Sequence, residues 1–145
     1  MSAHSPLDGL CGPSGSLSKE PADAKEFDAL VRSGRVRLTD AARRELSMES
    51  RFDLAYNAAH ALSLAALRRA GFRPNRQRYV VFQTLEHTLG LGPEVWRVLA
   101  RAHDVRNRNE YAGGPLPDER LLDDTIRACG RVLDLVTRLP SDPGT

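Results

Sequence analysis

From Met48 to Ala70, the apolar residues Phe52, Ala55, Tyr56, Ala59, Leu62, Ala66 and Leu67 recur at intervals of three and four, and this run decides the fold class. That spacing lines one face of an α-helix, so the segment reads as a long helix ending at Gly71, with Pro74 just beyond. A stripe of this length needs covering by other elements, which makes it the central core helix. The same period governs most of the chain, Ala and Leu are abundant, and no alternating β-branched run of useful length appears. The expected fold is therefore all-α, an antiparallel bundle of four to five helices without a sheet.

The other helices follow from their own signals. A first helical region is expected from about Ala22 to Leu46, with Phe27, Leu30 and Val31 on one face, an interruption at Ser33-Gly34 and a recap at Thr39 or Asp40. A third should run from about Asn75 to Leu89, carrying Tyr79, Phe82 and Leu85, and stop at Gly90-Leu91-Gly92. Pro93 suits the first turn of a fourth helix that continues to about Tyr111, where Ala112-Gly113-Gly114-Pro115 ends it. The last begins near Pro117 or Asp118 and reaches Leu139, with Leu121, Leu122, Ile126, Cys129, Val132, Leu133 and Val136 at helical spacing.

The chain has 145 residues, 41% of them hydrophobic, which is core enough for one domain without disulfides or structural metal. Residues 1–21 are rich in Ser, Gly and Pro and read as a disordered tail, as do residues 140–145, leaving a helical body over 22–139. With 21 Lys+Arg against 19 Asp+Glu, the net charge of +2 is too small to indicate a nucleic-acid binder by itself. Cys11 and Cys129 form no CxxC pair and have no His at metal-ligand spacing, so they read as reduced, with no zinc, no other metal and no cofactor indicated, and the compartment as cytoplasm. No run is long and apolar enough for a membrane span, and no signal peptide is expected.

Chemistry concentrates late in the fourth helix. Its apolar stripe is Val95, Val98, Leu99, Ala102 and Val105, and continuing the period places Arg106 and Asn109 on or beside the same inward face. A helix that exchanges its core face for Arg106-Asn107-Arg108-Asn109-Glu110-Tyr111 must send those groups to a partner, to a wet cleft or to a ligand, because an unpaired buried charge is too costly. Such a site belongs at a bundle end or a subunit interface.

Val105 to Tyr111, in the penultimate helix of an all-α bundle, resembles the signature of HEPN domains, small helical proteins associated with nucleotides and RNA. The stretch Arg51 to Leu62, followed by Ala65 to Arg69 and Gly71-Phe72-Arg73-Pro74, is similar to the tyrosine- and alanine-rich second helix of that family. The likeness covers about residues 22–139. It implies a homodimer with the Arg-Asn motifs of both subunits facing one cleft. It further implies RNA or nucleotide as ligand, a metal-independent endoribonuclease activity of the toxin or phage-defence kind, and a small nucleotidyltransferase as antitoxin partner that modifies a tyrosine.

Carried over by motif, Arg106 matches the phosphate-holding Arg and Asn107 the polar residue after it; Tyr111 stands where family nucleases have a His. Arg106, Asn107 and Tyr111 are thus the candidate catalytic residues, and Arg108, Asn109 and Glu110 the candidate RNA-binding ones. A free Tyr, with a pKa of about 10, is a poor general base at neutral pH, so a non-catalytic module binding nucleotide, RNA or a partner protein stands as the alternative.

Blander readings compete at each position. Arg106 and Glu110 are four apart and suit a surface pair. Arg97 and His103 match Arg-x5-His literally, but Val98 follows where a polar residue is expected. His60 reads as a hydrogen-bonded core or interface residue, and Trp96 as core or dimer interface. Neither Glu86-His87 nor His103-Asp104 makes a metal site, since adjacent residues diverge around a helix. Arg43, Arg44, Arg68, Arg69, Arg73, Arg76 and Arg78 suit either an RNA groove or solvated helix ends.

Overall fold

The computed structural model describes residues 6–11, 15–75, 80–112 and 117–141, with the side chains at 109–112 left out of the description. The described residues are mostly helical, as the apolar period requires. Helix α1 spans Ala24–Ala41, α2 Met48–Arg69, the short α3 and α4 Val80–Gln83 and Leu85–Thr88, α5 Pro93–Ala112 and α6 Glu119–Val136.

Three of these helices begin where a short polar side chain caps the orphan amides of the first turn. Asp23 accepts from Lys25 N at 2.9 Å, Ser47 from Ser50 N at 3.1 Å and Asp118 from Leu121 N at 2.7 Å. Helix α2 ends at Gly71, whose φ of +93° is a conformation that side chains with a Cβ avoid. As expected, α2 is the centre: it packs most extensively on α1 and α6 and touches α3, α4, α5 and β2. Its Phe52, Ala55, Tyr56, Ala59, Leu62, Ala66 and Leu67 are all buried.

Helix α1 is continuous through Ser33-Gly34, and this corrects the expected interruption. Gly34 is a crossing point: a Cβ built there would lie 2.6 Å from Leu62 Cδ2, so the missing side chain lets α1 and α2 approach. The expected third helix is corrected as well. Asn75 is non-helical and directly follows a strand, β2, Phe72–Pro74, and Val80 to Thr88 is divided into α3 and α4 at Thr84, whose hydroxyl turns back to Val81 O at 3.1 Å. Tyr79, Arg76 and Arg78 lie outside the described residues.

The sequence reading also expected no sheet, and a small one is present. Strand β1, Leu17–Lys19, pairs antiparallel with β2 in the register Leu17↔Pro74, Ser18↔Arg73, Lys19↔Phe72. Three-residue strands show no period, so packing and side-chain bonds fix this pair. Leu17 is 0% exposed and Leu7, in a 3₁₀ turn over Pro6–Leu10, is 2% exposed. The described part of the expected N-terminal tail is thus built into the core.

A buried arginine fastens that segment. Arg68, 2% exposed, engages all its donors: Nε to Glu26 at 2.7 Å, Nη1 to Glu20 O at 3.0 Å and Phe72 O at 3.2 Å, and Nη2 to Pro21 O at 2.7 Å and the Glu20 carboxylate at 3.1 Å. Arg73 closes the network with 2.7 Å ion pairs to Glu20 and Glu26. The Arg73 hydrogen bond holds the Glu20 carboxyl below the usual carboxylate range. For Glu26, burial alone would raise the carboxyl, but the hydrogen bonds of Arg73 and Arg68 outweigh it and the net shift is downward.

Candidate functional site

Where α2 meets α5, each helix turns a polar edge toward the other. On α2, Asp53, Tyr56 and His60 follow at steps of three and four, and on α5 Arg106 and Asn107 lie three and four residues after His103, so each set shares a side of its helix. Tyr56 is the hub, with its ring 1% exposed against the core. Its hydroxyl lies 2.7 Å from His103 Nδ1, the Arg106 guanidinium sits 4.8 Å above its ring centroid, and Phe82 of α3 packs edge-on to it at 6.0 Å. His60 completes a triangle with these two rings, 6.4 Å from Tyr56 and edge-on to Phe82 at 6.2 Å.

The hydrogen bonds set the state of His103. Asn107 Nδ2 is 3.0 Å from His103 Nε2, and an amide N–H donates, so Nε2 carries the lone pair. The proton is therefore on Nδ1 and is donated to the Tyr56 oxygen. A buried phenol holds one edge of the imidazole while the other edge faces a half-buried amide at the rim.

Arg106 is held differently. Its Nε is 3.5 Å from an Asp53 carboxylate oxygen, a loose pair because the Asp53 side chain is 63% exposed, and its own side chain is 25% exposed. The aromatic face beneath it gives a cation–π contact. Neither Nη atom has a hydrogen-bond partner among the described residues, so the guanidinium fork is oriented and still open to an anion.

The sequence-derived candidates are therefore only partly gathered. Arg106 and Asn107 belong to this cluster. Arg108 does not: two residues on from Arg106 it is rotated by about 200° around the helix. It lines a separate cavity of about 300 Å³ with Arg101, Asp104, Val105, Pro117, Asp118 and Leu121, between α5 and the start of α6. Asn109, Glu110 and Tyr111 lie on the backbone of α5, and their side chains fall outside the described residues.

Four side chains of the cluster were not singled out from sequence as site residues: Asp53, Tyr56, His60 and His103. The signal for His103 was its place one turn before Arg106 and Asn107, at i−3 and i−4; the relation to Tyr56 crosses between helices and leaves no mark in a linear pattern.

Most other arginines have local duties. Arg68 and Arg73 serve the N-terminal network, Arg43 pairs with Glu45 at 3.6 Å, and Arg69 Nε donates to Pro140 O at 2.6 Å. Trp96 is half-buried with the Arg97 guanidinium 5.6 Å from its ring centroid. Among the described residues no three His, Cys, Asp or Glu side chains stand together as a metal site, and no helix is long and apolar enough to cross a membrane. Both cysteines are free, and burial pushes the Cys129 thiol up to about 12.

Compared with known proteins, the chain matches no family model, no curated protein and no solved structure.

Proposed function

We propose that this chain is a HEPN-like, RNA-directed module that holds a phosphodiester at Arg106 and cleaves it without metal, in the manner of an endoribonuclease toxin or defence component. The observation that carries the reading is the Arg106 guanidinium, seated over the Tyr56 ring and paired through Nε with Asp53, with neither Nη atom bonded among the described residues. A phosphate with two free oxygens is the natural complement of such a fork. The placement of Arg106 and Asn107 at the emerging polar edge of α5 also suits a cleft shared by two copies of the chain.

A homodimer, a nucleotidyltransferase antitoxin encoded nearby and Tyr111 as its modification target complete the reading, all on the strength of the family resemblance. The second reading is a binding module without turnover, and it draws on Asn107, which is bonded to His103 and not directed to a ligand.

The test is incubation of the purified protein with total RNA and tRNA in the presence of a chelator, with Arg106→Ala and Tyr111→Phe alongside and product ends mapped. Cleavage leaving 2′,3′-cyclic phosphate and lost in Arg106→Ala is the expected outcome. Retention of RNA without cleavage selects the binding module, and wild-type affinity in Arg106→Ala removes the reading altogether.

A further inference from the structure

Arg101, Asp104 and Arg108 follow on α5 at steps of three and four, so one side of the helix carries a carboxylate between two arginines whose Cα atoms are about 10 Å apart along the axis. Each arginine stands at a spacing from Asp104 at which helix ion pairs form. Among the described residues, however, none of the three side chains makes an ion pair or a hydrogen bond. All three are exposed and line the cavity of about 300 Å³ between α5 and the start of α6, a volume at the lower end of small-molecule sites. Its remaining wall is apolar at Val105, Pro117 and Leu121. Asp118 is already engaged, since its carboxylate accepts from Leu121 N at 2.7 Å and serves the first turn of α6.

The complement of such a cavity has an anion at each end, a hydrogen-bond donor in the middle and a carbon face for the apolar wall. A ribose between two phosphates has all of these. We propose that the cavity is an auxiliary RNA-backbone site, in which Arg101 and Arg108 each hold one of two consecutive phosphates and Asp104 accepts from the 2′-hydroxyl of the ribose between them. The choice of a ribose rests on the RNA-directed reading of the chain.

The arrangement selects among polyanions. Guanidinium forks suit phosphate oxygens, and a 2′-hydroxyl donates where a deoxyribose has nothing to give. DNA would therefore leave Asp104 as an unpaired like charge beside two phosphates, and a partner surface made of carboxylates alone would do the same. Arg97, one turn before Arg101, is turned onto the Trp96 ring at 5.6 Å and does not extend the pair. Arg108 lies about 200° around α5 from Arg106, so the two sites hold different stretches of one strand. Two phosphate contacts hold weakly by themselves and add to the hold at Arg106 when one RNA engages both.

The experiment uses a small probe and a strand. The small probe is adenosine 3′,5′-bisphosphate, which has a ribose with a free 2′-hydroxyl between two phosphates. It is titrated by calorimetry into Arg106→Ala protein, so that the contact at Arg106 does not contribute. Adding Arg101→Gln with Arg108→Gln should weaken binding by about tenfold or more, a charge-assisted contact being lost at each end. The 2′-deoxy form should bind about fivefold more weakly than the ribose form, and Asp104→Ala should erase that difference. The strand is a labelled RNA of about 20 nucleotides, bound by otherwise wild-type protein across a salt series. There Arg101→Gln with Arg108→Gln should lower the slope of log K against log salt by about 1.4, two phosphates at about 0.7 each. Thermal melts within a few degrees of the parent confirm that the variants fold.

Equal affinity for the ribose and deoxyribose forms overturns the site, and so does unchanged bisphosphate binding in the double variant. An unchanged salt slope overturns the RNA strand as its ligand. Poly-glutamate held more tightly than RNA assigns the surface to an acidic protein and overturns the inference as well. Wild-type RNA affinity in Arg106→Ala overturns the reading at Arg106 instead, while ribose-dependent binding through Arg101, Asp104 and Arg108 stands.

Discussion

On the proposed reading Arg106 holds the ligand and has only a small structural role, and the two can be separated by measurement. Its pair with exposed Asp53 is loose and screened, so it contributes little, and the cation–π contact with Tyr56 contributes about 0.5–1 kcal/mol at a partly exposed site. Arg106→Ala is expected to cost about 1 kcal/mol in urea denaturation while abolishing RNA binding. Cys129 gives a second prediction at this scale. With its thiol buried and raised to about 12, it should resist iodoacetamide at mildly alkaline pH in the native protein and react only on unfolding, read by mass spectrometry.

At the scale of elements, α1 and α2 meet through Gly34, and the usual helix arithmetic reverses there. Gly→Ala inside a helix ordinarily gains about 1 kcal/mol. At Gly34 the added methyl would meet Leu62, so Gly34→Ala is expected to destabilise by about 1–3 kcal/mol, seen as a lower urea midpoint. A midpoint that rises would mean the crossing has slack.

Much of this level was legible in the sequence. Helix α2 begins within the first turn after Ser47 and stops before Gly71 because its stripe and its end signals agree. Other parts were hidden for definable reasons. Gly34 looked like a breaker because the sequence shows the missing side chain and not the neighbour that needs the space. Arg106 to Tyr111 looked like one site because it is contiguous, but a helix sends adjacent residues to different sides, and Arg108 accordingly went to the α6 flank. The partners of Arg106 came from residues about fifty positions earlier, on α2.

For the molecule as a whole, the N-terminal segment is closed by the network of Glu20, Glu26, Arg68 and Arg73. Both carboxyls are held below their ordinary value of 4.5 in the folded state. A lowered folded pKa contributes stability that is fully present above the unfolded value and is lost as pH falls through the folded one. The contribution of this network to stability should therefore be independent of pH near neutrality and be lost progressively below about 4.5. In Arg73→Ala most of that acid sensitivity should disappear, whereas Arg68→Ala is expected to cost about 3 kcal/mol or more of stability at neutral pH, because Glu26 loses one donor and three backbone carbonyls lose theirs. Thermal melts across pH for wild type and the two variants check both statements.

The network also has an order in time. As the chain leaves the ribosome, Glu20, Pro21 and Glu26 emerge more than forty residues ahead of Arg68, and Phe72 follows it by four. Every acceptor for the buried guanidinium is thus already outside, or nearly so, when α2 first lies down on α1. This buried charge can be neutralised during synthesis, before the half of the chain that carries α5, α6 and the α5 side of the candidate site has been made.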